Sequence, residues 1–110
     1  MKKNEDKLQK ECYVWFHNNY PELRNLLCYN LNNSKDAIAG ARDRAMGLTK
    51  GRCDMVFYYN STATMIEFKT ETGRQTADQK EWQKDIENQG FTYVIVRNLK
   101  DFKKIILKKF

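Results

Sequence analysis

Asp54, Glu67 and Lys69 flank two apolar runs that are separated by a short polar break, Asn60-Ser61. The runs, Asp54 to Tyr59 and Thr62 to Lys69, read as the two strands of a hairpin. A two-residue turn pairs Tyr59 with Thr62 and, further along the ladder, sets Asp54 opposite Glu67 on one sheet face. A symmetric four-residue turn preserves that pairing. Facing residues have Cβ atoms about 4.5–5.5 Å apart, so the two carboxylates repel unless something positive sits between them. Magnesium suits that place, because it prefers hard oxygen ligands and takes one or two carboxylates plus water and phosphate. Lys69 projects from the same face about 6.5–7 Å further on, while Phe68 points to the other face and the core. A cation held by carboxylates beside an ammonium is equipment for directing water at a phosphodiester.

The elements that must position these groups follow from periodicity and breakers. Leu8, Cys12, Trp15, Phe16 and Asn19 recur at helical spacing, so residues 5–19 form an amphipathic helix that stops near Pro21. Leu26 to Leu31 suits a strand. Ser34 can cap a second helix that runs to about Met46, with Gly47 as its stop. After the hairpin and a polar loop, Thr70 to Gln75, a third helix opens at Thr76-Ala77-Asp78-Gln79 and ends at Gly90. Phe91 to Val96 is a strand, and Leu99, Phe102, Ile105, Ile106 and Phe110 trace one side of a terminal helix. The expected order is α-β-α-β-β-α-β-α, an α/β domain with a small mixed central sheet flanked by helices.

The chain has 110 residues, which fits one domain, 1–110, with one core. No run approaches the roughly 18 apolar residues of a membrane span, and the N-terminus has no apolar signal core, so export and membrane association are not expected. Cys12, Cys28 and Cys53 are widely spaced without a CxxC or Cys/His cluster, and His17 is the one histidine. Zinc is therefore disfavoured, and reduced thiols in a cytoplasmic setting are expected. A net charge of +6 favours an anionic partner, nucleic acid first. Arg42, Arg44, Lys50, Arg52 and Arg74 bracket the acidic pair along the chain, as a phosphate-binding cleft requires. Gly51, in the loop before Asp54, is expected to let backbone approach a ligand.

The pattern as a whole resembles the VRR-NUC family of the PD-(D/E)XK nuclease superfamily. The matching residues are Glu11 in the first helix, Gly51-x-x-Asp54, Ile66-Glu67-Phe68-Lys69, Thr76-x-x-Gln79 and Tyr93-x-x-Val96-Arg97. They span nearly the full chain. The resemblance implies a restriction-endonuclease-like core and a Mg2+-dependent endonuclease, with Mn2+ as a substitute. Asp54 and Glu67 would then bind the metal with the Phe68 carbonyl, Lys69 would activate water, and Glu11 would complete the acidic cluster directly or through water. Gln79 would reach the site from its helix, and Arg97 would join the phosphate contacts. Stand-alone members look like phage and bacterial proteins that act as homodimers on branched DNA such as Holliday junctions, leaving 5′-phosphate and 3′-hydroxyl ends. Two positions depart from the family pattern. Cys53 replaces the common proline, and Val96-Arg97-Asn98 lacks the second arginine of the triplet that gives the family its name.

Each residue also has a plainer reading. The acidic pair and Lys69 could form a solvated trio on an exposed sheet face. Glu11 could be solvated or paired with Lys7. Thr76-x-x-Gln79 is equally a capping box. Lys100, Lys103, Lys104 and Lys108 form either a solvated helix face or a track for a DNA backbone. The rival functions are a catalytically silent nucleic-acid-binding domain of the same fold and a nuclease acting on other DNA or RNA.

Overall fold

The computed structural model describes residues 2–31 and 36–110, with side chains from residue 4 onward. Its first helix, α1 (Lys2–Asn19), buries Cys12 and Phe16 completely. Pro21 cannot continue that helix, and Pro21–Leu26 forms a 3-10 helix where no regular element was expected. Strand β1 is correspondingly short, Leu27–Tyr29. Helix α2 covers Ala37–Ala45, and its N-cap is Asp36, whose side chain accepts from the Ala39 N–H at 2.8 Å. Ser34, the expected cap, lies outside the described residues. Gly47, at φ +106°, turns the chain after α2.

The hairpin forms as the polar break implies. Asn60 and Ser61 both take positive φ, 54° and 61°, the signature of a type I′ turn between β2 (Met55–Tyr59) and β3 (Thr62–Phe68). Pairing runs from Tyr59 with Thr62 to Met55 with Ile66. Helix α3 (Ala77–Asn88) crosses back to β4 (Thr92–Val96), which pairs parallel with β3. Helix α4 (Leu99–Leu107) closes the chain, capped by Asn98. The sheet order is β1-β2-β3-β4, with the first two pairings antiparallel. The mixed α/β architecture and element order match the sequence expectation.

Strand alternation divides the core. Met55, Phe57, Ile66, Phe68 and Val96 pack with Cys12, Phe16, Phe102 and Ile106 on the α1/α4 side. Cys53, Val56, Ala63, Met65 and Tyr93 pack with Trp82 and Ile86 on the α3 side. Glu67 and Lys69 share the parity of Met65, which puts them on the α3 side of a central strand. No helix among the described residues is long and apolar enough to cross a membrane.

Candidate active site

The central strand carries the chemistry into the protein interior. Glu67 is 0% exposed and Lys69 6%, so the trio is not a solvated ribbon. Burying a carboxylate is costly unless it is bonded or paired, and Glu67 is treated unequally at its two oxygens. Oε1 accepts from the Tyr93 hydroxyl and from Gln75 Nε2, the latter at 3.4 Å. Oε2 accepts no hydrogen bond and has Lys69 Nζ at 4.0 Å. Burial first, and then Glu67 itself, push the Tyr93 phenol far above its usual range, so it stays protonated as the donor.

Asp54 arrives differently from the expectation. The regular ladder stops at Met55, and the Asp54 N–H bonds to the Ile66 carbonyl at 3.0 Å, one residue short of Glu67. The side chain makes up the slip, because Oδ2 accepts from the Phe68 N–H at 2.7 Å. From the β1 side, the Asn30 N–H holds the Asp54 carbonyl at 2.8 Å, and Asn30 Nδ2 holds the Cys53 carbonyl at 3.3 Å. Asp54 thus sits at the strand end with its carboxylate fixed to β3. Its pKa is raised from 3.8 to about 6, chiefly by burial, with the charges of Glu67 and Glu5 adding to the rise. The Phe68 N–H and Lys69 pull the other way.

Gly51 packs against protein backbone. At φ +79°, a Cβ there would lie 2.3 Å from the Asp78 carbonyl oxygen and 2.8 Å from the Gln79 nitrogen. The glycine therefore lets the loop before Asp54 rest on the backbone of α3's first turn.

The α1 carboxylate that acts on Asp54 is Glu5. Glu5 is half-buried, acts electrostatically on Asp54, and lies beside Gly73 in the loop after β3. Glu11 is exposed. Six residues further along a helix is about 9 Å of rise and about 120° of rotation, so the two glutamates cannot face the same point. The signal was present in the sequence, because Glu5 precedes the buried Cys12 and Phe16 by 7 and 11 residues, on one helical line.

Gln79 forms the capping box. Its Oε1 accepts from the Thr76 N–H at 2.8 Å, and its own N–H bonds to Thr76 Oγ1 at 3.2 Å. The glutamine that reaches Glu67 is Gln75. It comes from the loop before the cap, where nothing in the sequence pattern marks it. Arg97 is also committed elsewhere than expected. Its Nη1 donates to the Thr70 and Gly73 carbonyls, both at 2.7 Å, which ties down the loop that carries Gln75.

The other basic residues remain on the surface. Arg42, Arg44, Lys50 and Arg74 are exposed, and Arg52 is half-buried. Arg42 sits 3.9 Å from Asp43, an exposed pair of little energetic weight. On α4, Lys103 lies 5.5 Å from the centre of the Trp15 ring, so it packs on α1, whereas Lys100, Lys104 and Lys108 are exposed.

A solved structure described as a "VRR_NUC domain protein" superposes on this chain with a TM-score of 0.78, covering 96% of this chain and 86% of that one. The chain has a VRR-NUC fold. The two sequences are 18% identical, so the likeness is one of architecture. No family model and no curated protein matches the sequence. In this VRR-NUC fold the hairpin and the crossover helix bring Asp54, Glu67 and Lys69 together at the end of the β2–β3 pair.

Whether these groups suit a divalent cation can be judged from their free atoms. Among the described residues no cluster of three or more His, Cys, Asp or Glu side chains could hold a metal ion. Two carboxylates, supplemented by water and phosphate, are nonetheless the usual protein share of a magnesium site. Glu67 Oε2 is buried without a hydrogen bond, and Asp54 is burdened by neighbouring negative charge. A dication would relieve both. The donor set is all oxygen, which favours Mg2+ or Mn2+ over zinc.

Proposed function

We propose that this chain is a VRR-NUC nuclease that hydrolyses DNA phosphodiester bonds with a divalent metal, Mg2+ or Mn2+. The observation that carries this reading is Glu67, a fully buried carboxylate with one oxygen left open beside Lys69. A buried carboxylate oxygen that accepts no hydrogen bond calls for an explanation, and a bound cation supplies one.

Asp54 and Glu67 would hold the cation. When bound, it would polarise the phosphate and lower the pKa of a coordinated water. Lys69 is fixed by burial and offers its ammonium where negative charge grows on the phosphate oxygens. Asp54 must be deprotonated to bind, and with its pKa at about 6 that condition is met at neutral pH. Exposed Arg42, Arg44, Lys50 and Arg74 supply charge for the DNA backbone. Branched DNA, Holliday junctions included, and a homodimer are what the VRR-NUC resemblance suggests, and the free cysteines fit a cytoplasmic setting.

Labelled linear, flap and four-way DNA incubated with Mg2+ or with EDTA tests this reading. Cleavage in Mg2+ alone is expected, and Asp54→Ala, Glu67→Ala and Lys69→Ala should each lose it while still binding DNA. Paired symmetric nicks in the four-way substrate would support a dimeric resolvase, and cleavage of every substrate a general nuclease. Full activity in the Asp54 or Glu67 variant sinks the assignment.

A further inference from the structure

Glu67 presents one bonded and one open oxygen, and the bonded side is built from outside the reacting trio. The Tyr93 hydroxyl comes from β4, where the ring stands edge-on to Trp82 with centroids 6.0 Å apart. Gln75 comes from the loop before α3, and its amide is shared between Glu67 Oε1 at 3.4 Å and Gln83 Oε1 at 2.8 Å. Gln83 in turn donates from Nε2 to Glu87 Oε2 at 3.3 Å.

This chain of bonds has a direction. A carboxylate only accepts, so Glu87 obliges Gln83 to present its NH2 outward and its carbonyl inward. That carbonyl obliges Gln75 to present its NH2, and the second hydrogen of that amide then faces Glu67. The carboxylates at the two ends, buried Glu67 and exposed Glu87, thus demand the same orientation of the two amides between them. Both donors converge on Oε1 and none on Oε2, which fixes the rotation of the carboxylate as well as its burial.

We propose that Tyr93 and Gln75 are positioning residues that hold Glu67 Oε1 so that Oε2 is the oxygen offered to a divalent cation. The cation itself rests on the nuclease reading above. Neither residue touches the reacting atoms. Their part is to keep Glu67 from turning its open oxygen into the sheet or collapsing onto Lys69.

Calorimetric titration with Mn2+, alongside thermal melts in EDTA, tests the clamp without relying on cleavage. Tyr93→Phe keeps the ring packing and removes the hydroxyl. It should bind Mn2+ about 10–100-fold more weakly than wild type, the usual effect of losing a partner that orients a metal ligand. Gln75→Ala, at a half-buried loop position, should weaken binding by a smaller factor. It carries the test if Tyr93→Phe fails to fold. A lowered melting temperature with Mn2+ affinity within about twofold of wild type in both variants overturns the clamp and leaves the nuclease reading standing. Wild-type protein that binds no Mn2+ overturns both. Metal binding that depends on Tyr93 and Gln75 without DNA cleavage supports the clamp and counts against the nuclease.

Discussion

The Phe68 N–H donates to Asp54 Oδ2 at 2.7 Å, which fixes an aspartate outside the regular ladder to the strand that carries Glu67. The bond holds Asp54 close to Glu67 and Glu5, and this proximity is unfavourable while Asp54 is charged. The pKa of Asp54 is raised to about 6, so between about pH 4 and 6 the folded state binds more protons than the unfolded state. Stability from this group is therefore greatest below that window and falls as pH rises through it, with the full cost present above pH 6. Asp54→Asn keeps an oxygen for the Phe68 amide and removes the charge. In EDTA at pH 7 it should be more stable than wild type by about 1–2 kcal/mol, a value reduced from the roughly 3 kcal/mol ceiling because the group is partly solvated. The advantage should vanish near pH 4. Urea melts of both proteins across pH 4–8 measure it, and a variant less stable than wild type at pH 7 contradicts it.

Lys69 is the countercharge at Glu67 and the proposed electrostatic partner of the phosphate. Lys69→Met preserves most of the buried stem and removes the ammonium. Cleavage should drop by about 10²–10³-fold, the typical loss when a preorganised charge is removed from a reacting oxygen. DNA affinity should hardly change, because a buried lysine contributes little to counterion release. Single-turnover rates and equilibrium binding on the same substrate separate the two. Retained cleavage rules out the role given to Lys69.

Two glycines with positive φ make a controlled pair. A Cβ added at Gly47 (φ +106°) would meet nothing within 4 Å, whereas one added at Gly51 would stand 2.3 Å from the backbone of Asp78. Gly47→Ala costs only the conformational strain, about 1–2 kcal/mol. Gly51→Ala adds a backbone clash and should cost about 3 kcal/mol or more. It should also displace Asp54 and weaken Mn2+ binding, which Gly47→Ala should leave unchanged. Equal effects from the two substitutions remove the packing role assigned to Gly51.

The sequence made the hairpin legible because the polar Asn60-Ser61 interrupts two apolar runs, and strand parity followed from that. It also placed Glu67 and Lys69 on one face. The slip at Asp54 was not legible, because a local break in pairing leaves the residue pattern unchanged. Glu11 stands at the motif position, whereas the helical line through Cys12 and Phe16 runs through Glu5. Gln75 and Gln79 are four residues apart on either side of the Thr76 cap, and that cap's chemistry already uses Gln79. Arg97 looked like a phosphate ligand because nothing along the chain reveals carbonyls folded back over its guanidinium.

Arg97 and Arg74 should therefore behave differently despite their shared charge. Arg97 Nη1 holds the Thr70 and Gly73 carbonyls, and Arg74 stands exposed on the same loop. Arg97→Ala strips those carbonyls of their donor and should destabilise the fold by about 1–3 kcal/mol. Amides of residues 70–75 should exchange faster with solvent, and the salt dependence of DNA binding should stay as it was. Arg74→Ala should leave stability within about 0.5 kcal/mol and reduce the slope of log affinity against log salt by about 1, the share of one phosphate contact. The reverse pattern, a salt slope that responds to Arg97 and a fold that depends on Arg74, would return Arg97 to the DNA-binding surface.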